Sequence, residues 1–360
     1  MGLSGKSAHA GLSLADIEKI KTASARNPPR HRGLGRGIAE PKMEEKIMMM
    51  KKLTGILMAG MLMASMVGCG AVSVDGETKT DTPEASESSE GTQGSGAIGL
   101  AVSTLNNPFF VTLSEGAQAA AKEQNVELIV VDAGDDAAKQ TNDIEDLISR
   151  NISVLIVNPV DSDAVAPAVK DAVAKGIKVV SVDRVVNGVD VDCAIASDNV
   201  AGAQAATEYL MSLVGEGAKV AELQGVSGAS ATIDRGQGFH NVADEKLDVV
   251  SSQTANFNRS EGMTVMENML QANADIKGVF AHNDEMALGA VEAIGGKEIV
   301  VVGFDATDDA LTAVSEGKMA ATVAQKPDLM GATAVETAVK LIAGETVEKE
   351  IPVEVELVTE

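Results

Sequence analysis

From residue 97 onward, short apolar runs rich in β-branched residues alternate with longer stretches in which apolar residues recur every three or four positions. The short runs have the length and composition of strands buried on both faces, and the longer ones have the period of amphipathic helices. The pattern predicts strands over 97–103, 127–132, 154–158 and 178–183, with helices over 108–124, 136–150 and 163–175. A second series places strands over 218–224, 248–254, 278–282, 299–305 and 320–325. Its helices fall over 199–213, 231–244, 259–272, 285–293, 307–316 and 329–342. Strand and helix in strict alternation mean parallel sheets wound by βαβ crossovers. The fold class is therefore α/β, with two Rossmann-like lobes and a switch between them near Ala196-Ser197-Asp198-Asn199.

The residues before 97 follow neither period. Residues 1–47 hold Pro, Gly, Arg and His in no regular order, as in Asn27-Pro28-Pro29-Arg30-His31-Arg32-Gly33. Met48-Met49-Met50-Lys51-Lys52 then precedes an uncharged run over 53–67, too short to span a bilayer and positively charged at its front. Residues 48–68 thus read as a secretory signal. Since such a signal begins a chain, the expected start of translation is Met48, Met49 or Met50, with 1–47 an extension upstream of it. The run ends in Met66-Val67-Gly68-Cys69, small residues before a cysteine as in a bacterial lipobox, with Met where Leu is usual. The expectation is cleavage before Cys69 and lipid attachment to its sulfur. Residues 69–96, rich in Ser, Thr, Glu, Asp and Gly, have almost nothing to bury and read as an acidic tether.

Of 29 Lys and Arg and 53 Asp and Glu, 11 and 5 lie in residues 1–68, leaving residues 69–360 at −30. That charge argues against nucleic acid and against anionic membrane surfaces as partners. The two cysteines are Cys69 and Cys193. With the first lipidated, no disulfide is available and Cys193 reads as a small core residue. Gly94-x-Gly96-x-x-Gly99 resembles a dinucleotide fingerprint but precedes its strand, where it cannot form the phosphate turn. Gly225-Val226-Ser227-Gly228-Ala229 lacks the spacing of a nucleophile elbow. His240 and His282 have no second ligand at metal-binding spacing. No nucleophile stands beside a base, so neither an enzyme nor a cofactor is expected.

What recurs is a set of polar and aromatic residues at strand ends, where ligands bind in open α/β sheets. Asn107, Phe109 and Phe110 follow the first strand, in a chain with only six Phe, one Tyr and no Trp. Asp183 and Arg184 follow the fourth. Arg235 stands near the head of a helix, and Phe257, Asn283, Asp305 and Gln325 close later strands. Planar donors and acceptors beside flat apolar rings suit a small polyol, with hydroxyls on its rim and C–H groups on its faces. Each of these residues also has a purely structural reading: cap, surface pair, or, for Phe109 and Phe110, core packing.

Ser103-Thr104-Leu105-Asn106-Asn107-Pro108-Phe109-Phe110, Asn158-Pro159-Val160-Asp161-Ser162-Asp163-Ala164-Val165, Ala196-Ser197-Asp198-Asn199, Asn283-Asp284-Glu285-Met286-Ala287-Leu288-Gly289 and Val302-Gly303-Phe304-Asp305 carry a resemblance. From residue 97 to about 358 the chain resembles the D-ribose-binding proteins of bacterial ABC importers, in the periplasmic sugar-binding and LacI-type superfamily. The resemblance implies a sugar ring sandwiched by Phe109, Phe110 and Phe257. It implies hydroxyls bonded by Asn107, Asp183, Arg184, Arg235, Asn283, Asp305 and Gln325. It implies one lobe from 97–198 plus 326–354 and a second from 199–325 plus 355–360, joined by a three-segment hinge that closes on the ligand. The implied partners are D-ribose and the transmembrane subunits of an ABC permease, with the protein itself a monomer on the outer face of the cell membrane. A sugar or autoinducer-2 receptor feeding a chemoreceptor or two-component partner is the alternative within the same fold. A LacI-type regulator would need a helix-turn-helix ahead of the fold, which residues 1–60 do not offer.

Overall fold

The computed structural model describes residues 96–359, and the extension, signal, tether and Cys69 lie outside them, Gly96 excepted. The described residues form two six-stranded sheets. The first contains β1 (Ile98–Val102), β2 (Leu128–Asp132), β3 (Val154–Val157), β4 (Lys178–Val182), β5 (Cys193–Ser197) and β11 (Glu350–Val353), in the order β11-β5-β4-β3-β1-β2. The second contains β6 (Lys219–Gln224), β7 (Asp248–Thr254), β8 (Gly278–Ala281), β9 (Val300–Asp305), β10 (Ala321–Ala324) and β12 (Glu356–Val358), in the order β12-β10-β9-β8-β6-β7. All pairings are parallel except β10 with β12.

Helices cover both faces of each sheet, so the central strands are mostly apolar; β1 is buried at every position. One face of the first sheet packs on α1 (Pro108–Gln124) and α9 (Pro327–Ile342), the other on α2 (Ala137–Ser149) and α3 (Ala166–Ala174). The second sheet lies between α4 (Asn199–Val214) with α5 (Ser230–Lys246), and α6 (Arg259–Ala272), α7 (Asp284–Ile294) and α8 (Asp308–Ser315). Where α9 crosses α1, a Cβ on Gly331 would lie 2.0 Å from the Leu113 carbonyl oxygen, so only glycine permits the approach.

Nine strands read from the sequence are present, with ends shifted by a residue or two. Three more were not read. β5 is Cys-Ala-Ile-Ala-Ser, too weakly apolar to stand out, and alternates buried with half-buried residues. β11 contains Pro352, tolerated because the strand is at an edge. β12 has only three residues. These three strands lie where the chain passes between sheets. β5 leads into α4, which packs on the second sheet. β10 leads into α9, which packs on the first. β11 is followed at once by β12.

Candidate ligand-binding site

The loops at the carboxyl ends of both sets of parallel strands face one another. Between them lies a narrow pocket lined by Asn107, Phe109, Phe110, Asp183, Arg184, Arg235, Phe257, Asn283, Asp305 and Gln325, together with Ala231. All ten residues singled out from the sequence therefore meet in one place, and Ala231 is the only lining residue that was not. Nine of the ten are buried, and Phe257 is half-buried.

Each side chain is held by local structure. Asn107 caps α1, accepting a hydrogen bond from Phe109 N at 2.9 Å, so its amide nitrogen is what it can offer a ligand. Pro108 starts the helix and turns Phe109 and Phe110 into an edge-to-face pair with centroids 5.1 Å apart. Both rings belong to the first core and also line the pocket. Phe109→Ala is accordingly expected to cost about 3 kcal/mol of stability as well as affinity. Chemical denaturation of the ligand-free protein checks this, and unchanged stability would mean the ring serves only the pocket.

Asp183 adopts φ +65°, and its Oδ2 accepts from the buried Asn158 Nδ2 at 3.0 Å. Arg184 donates to the Pro159 carbonyl from Nη1 at 2.8 Å, and its guanidinium lies 5.1 Å from the Phe110 ring centre and 5.2 Å from that of Phe257. Its Nε is buried without a hydrogen-bond partner among the described residues, 3.5 Å from Asp183 Oδ2. Arg235 is fixed from three sides. Its Nε donates to Asn199 Oδ1 at 2.8 Å, its Nη1 donates to the His282 carbonyl at 2.6 Å, and its Cζ lies 3.9 Å from the Phe304 ring centre. Asn283 caps α7 through Met286 N and donates to the Phe257 carbonyl. Phe257 has φ +59° and Asp305 φ +126°, so with Asp183 three of the eleven lining residues hold backbone conformations that side chains disfavour. Such strain persists where the surroundings over-determine it, typically at ligand sites.

The electrostatics are those of a desolvated cluster. Burial raises the Asp183 and Asp305 carboxyls and lowers both guanidiniums, while the facing opposite charges work against each shift. Asp284, beneath the pocket, accepts from Thr322 Oγ1 at 2.6 Å and Thr307 N at 2.8 Å, yet burial pushes it up to about 7. The native state then keeps a proton that the unfolded chain has released. Ligand-free stability should fall as pH rises from about 4 to about 7, because the unfolded state binds fewer protons over that interval. Thermal melts should show a steeper fall in the wild type than in Asp284→Asn, and equal slopes would contradict the shift.

The sequence left the histidines without partners. In the structure they share a carboxylate 60 and 18 residues away: His282 Nε2 lies 2.9 Å from Glu222 Oε1, and His240 Nε2 3.4 Å from Oε2. Burial would raise Glu222, but the hydrogen bond and charge of His282, with smaller help from Ser252 and His240, together hold the carboxyl below its usual value. Loops on the two sides also meet directly. Ser162 N donates to the Gly228 carbonyl at 2.9 Å, and Val185 N donates to Ser230 Oγ at 3.1 Å.

The sequence profile of the periplasmic binding protein domain matches residues 98–346. The chain belongs to the periplasmic binding protein family. Within the family, it is 50% identical over 278 residues to the ribose import binding protein RbsB of Bacillus subtilis, covering 77% of this chain and 91% of that protein. The corresponding protein of Escherichia coli is 49% identical over 265 residues, 72% of this chain and 90% of the relative. Among solved structures, an ABC transporter solute-binding protein from Bacillus halodurans with bound myo-inositol superposes with a TM-score of 0.71 at 35% identity. That match covers 75% of this chain and 96% of the other.

Proposed function

We propose that this protein captures D-ribose between its two lobes outside the cytoplasm and delivers it to an ABC-type permease. The observation that carries the reading is the convergence of ten residues from both sheets on one pocket, with aromatic faces and fixed planar donors and acceptors around it. The half-identical relatives that bear the name of ribose import binding proteins support the choice of sugar. Asp183 and Arg184 follow β4 of the first sheet, while Arg235 on α5, Asn283 after β8 and Asp305 at the end of β9 stand on the side of the second. A sugar bonded by both sets stabilises the closed form over the open one by its contacts with the second set, which drives hinge closure. The rotation takes place at the three passages between sheets, near 197–199, 324–326 and 353–357. Lobes of 97–198 plus 326–354 and of 199–325 plus 355–360 move about them.

The sugar is held without being reacted, since no nucleophile–base pair faces the pocket. A lipid on Cys69 would keep the protein at the outer face of the membrane, with 69–96 as the tether; Cys69→Ser should release it into the medium. A thermal-shift series tests the substrate. D-ribose at saturating concentration should raise the melting temperature, whereas glucose, galactose and allose should raise it little. A larger shift with one of those hexoses would overturn the choice of ribose while leaving the fold and the closing motion in place.

A further inference from the structure

The segment that carries the chain out of the first sheet, Ser197-Asp198-Asn199, reaches two pocket side chains from behind. The Ser197 hydroxyl lies 2.8 Å from Gln325 Oε1, and Gln325 Nε2 donates to Asp305 Oδ1 at 2.7 Å. Two residues further on, Asn199 Oδ1 accepts from Arg235 Nε at 2.8 Å, and Arg235 Nη1 stands 3.7 Å from the same Asp305 oxygen. The side chains form a chain that starts and ends in one three-residue segment, and all five are buried. Asp198, between the two, is exposed and only caps α4 through Ala201 N.

The polarity of the arrangement is set by chemistry. Asp305 Oδ1 faces the Gln325 amide nitrogen and a guanidinium, both donors. Gln325 must therefore turn its carbonyl toward Ser197, which leaves the hydroxyl as donor. A guanidinium only donates, so Asn199 must present its carbonyl to Arg235. Without these partners the Gln325 amide and the Arg235 fork would each have further orientations, including ones that miss a ligand.

We propose that Ser197 and Asn199 are positioning residues for ligand recognition, acting through Gln325 and Arg235. Neither lines the pocket. Ser197 belongs to the first lobe and Gln325 to the second, so rotation at this passage changes the bond between them. The Gln325 part of the recognition geometry is therefore complete only in the closed form, whereas Asn199 and Arg235 lie in one lobe and keep their bond. The inference rests on the reading of the pocket as a sugar site.

A double-mutant cycle titrated with D-ribose by calorimetry tests it. Ser197→Ala should weaken binding about 5-fold and Gln325→Ala more, as expected for loss of one buried hydrogen bond and of a direct contact. The double variant should match Gln325→Ala within about twofold, since the hydroxyl has nothing left to orient. Ser197→Thr, which keeps the hydroxyl, should recover wild-type affinity within about twofold. Asn199→Ala should weaken binding about 5-fold, and Asn199→Asp, which keeps the acceptor oxygen, less. Ligand-free melting temperatures should stay within about 2 °C for the Ser197 variants. Wild-type affinity in Ser197→Ala, or losses that multiply in the double variant, would overturn the proposal. If the wild type itself ignores D-ribose, the choice of sugar fails instead, and the same cycle is decided with whichever hexose of the thermal-shift series it binds.

Discussion

Arg235→Met is expected to weaken D-ribose binding by at least about 100-fold, the largest loss of any single substitution in the pocket. A charge-assisted hydrogen bond in a desolvated site contributes about 1.5–3 kcal/mol, and Arg235 additionally holds Asp305 in place. Its removal also leaves Asp305 buried near Asp284 with no facing cation on its own side of the cluster. Breaking a buried pair in this way costs about 3–5 kcal/mol unless the remaining carboxyl takes up a proton. Asp305 is already raised by burial and would rise further, so the variant should be most stable at low pH and lose stability as pH rises toward neutrality. Calorimetry and pH-dependent melts check the two halves separately. Near-wild-type affinity in a folded variant would remove Arg235 from the ligand set.

Phe257→Ala is the second large effect, about 10- to 100-fold in affinity, through loss of an aromatic face on the ligand. Unlike Phe109 and Phe110, this ring is half-buried and lies at the margin of its core, so the fold should survive the change. Its position depends on Gly225, where a Cβ would stand 2.1 Å from the ring atom Cζ. Gly225→Ala should therefore displace the ring and reproduce much of the loss without touching Phe257 itself. Fluorescence-free calorimetric titration of both variants decides the matter. Full affinity in Gly225→Ala would mean that the ring has room to shift without harm.

The strand-and-helix alternation made most of the fold legible, because strands buried on both faces announce themselves as apolar runs and their helices as a 3.6-residue period. The passages between sheets were harder. β5, β11 and β12 are short, weakly apolar or edge strands, and what makes them strands is their pairing with distant partners: β11 with β5 and β12 with β10. The pocket residues could be picked out because each is a polar or aromatic residue at the end of a strand. Their supports could not. Asn158, which holds Asp183, and Asn199, which holds Arg235, look like ordinary loop or cap residues until the fold brings partners 25 and 36 residues away against them. The same is true of Glu222, whose position inside a strand gives no hint that two histidines from other elements converge on it. Propensity and period describe neighbours in sequence, and these contacts are between neighbours in space.

The direct measurement is a calorimetric titration of the purified protein with D-ribose, followed by allose, galactose, glucose and autoinducer-2. Saturable one-to-one binding of D-ribose, with much weaker or absent heat from the others, is the predicted result. No heat with D-ribose, or tighter binding of another compound in the series, would contradict it.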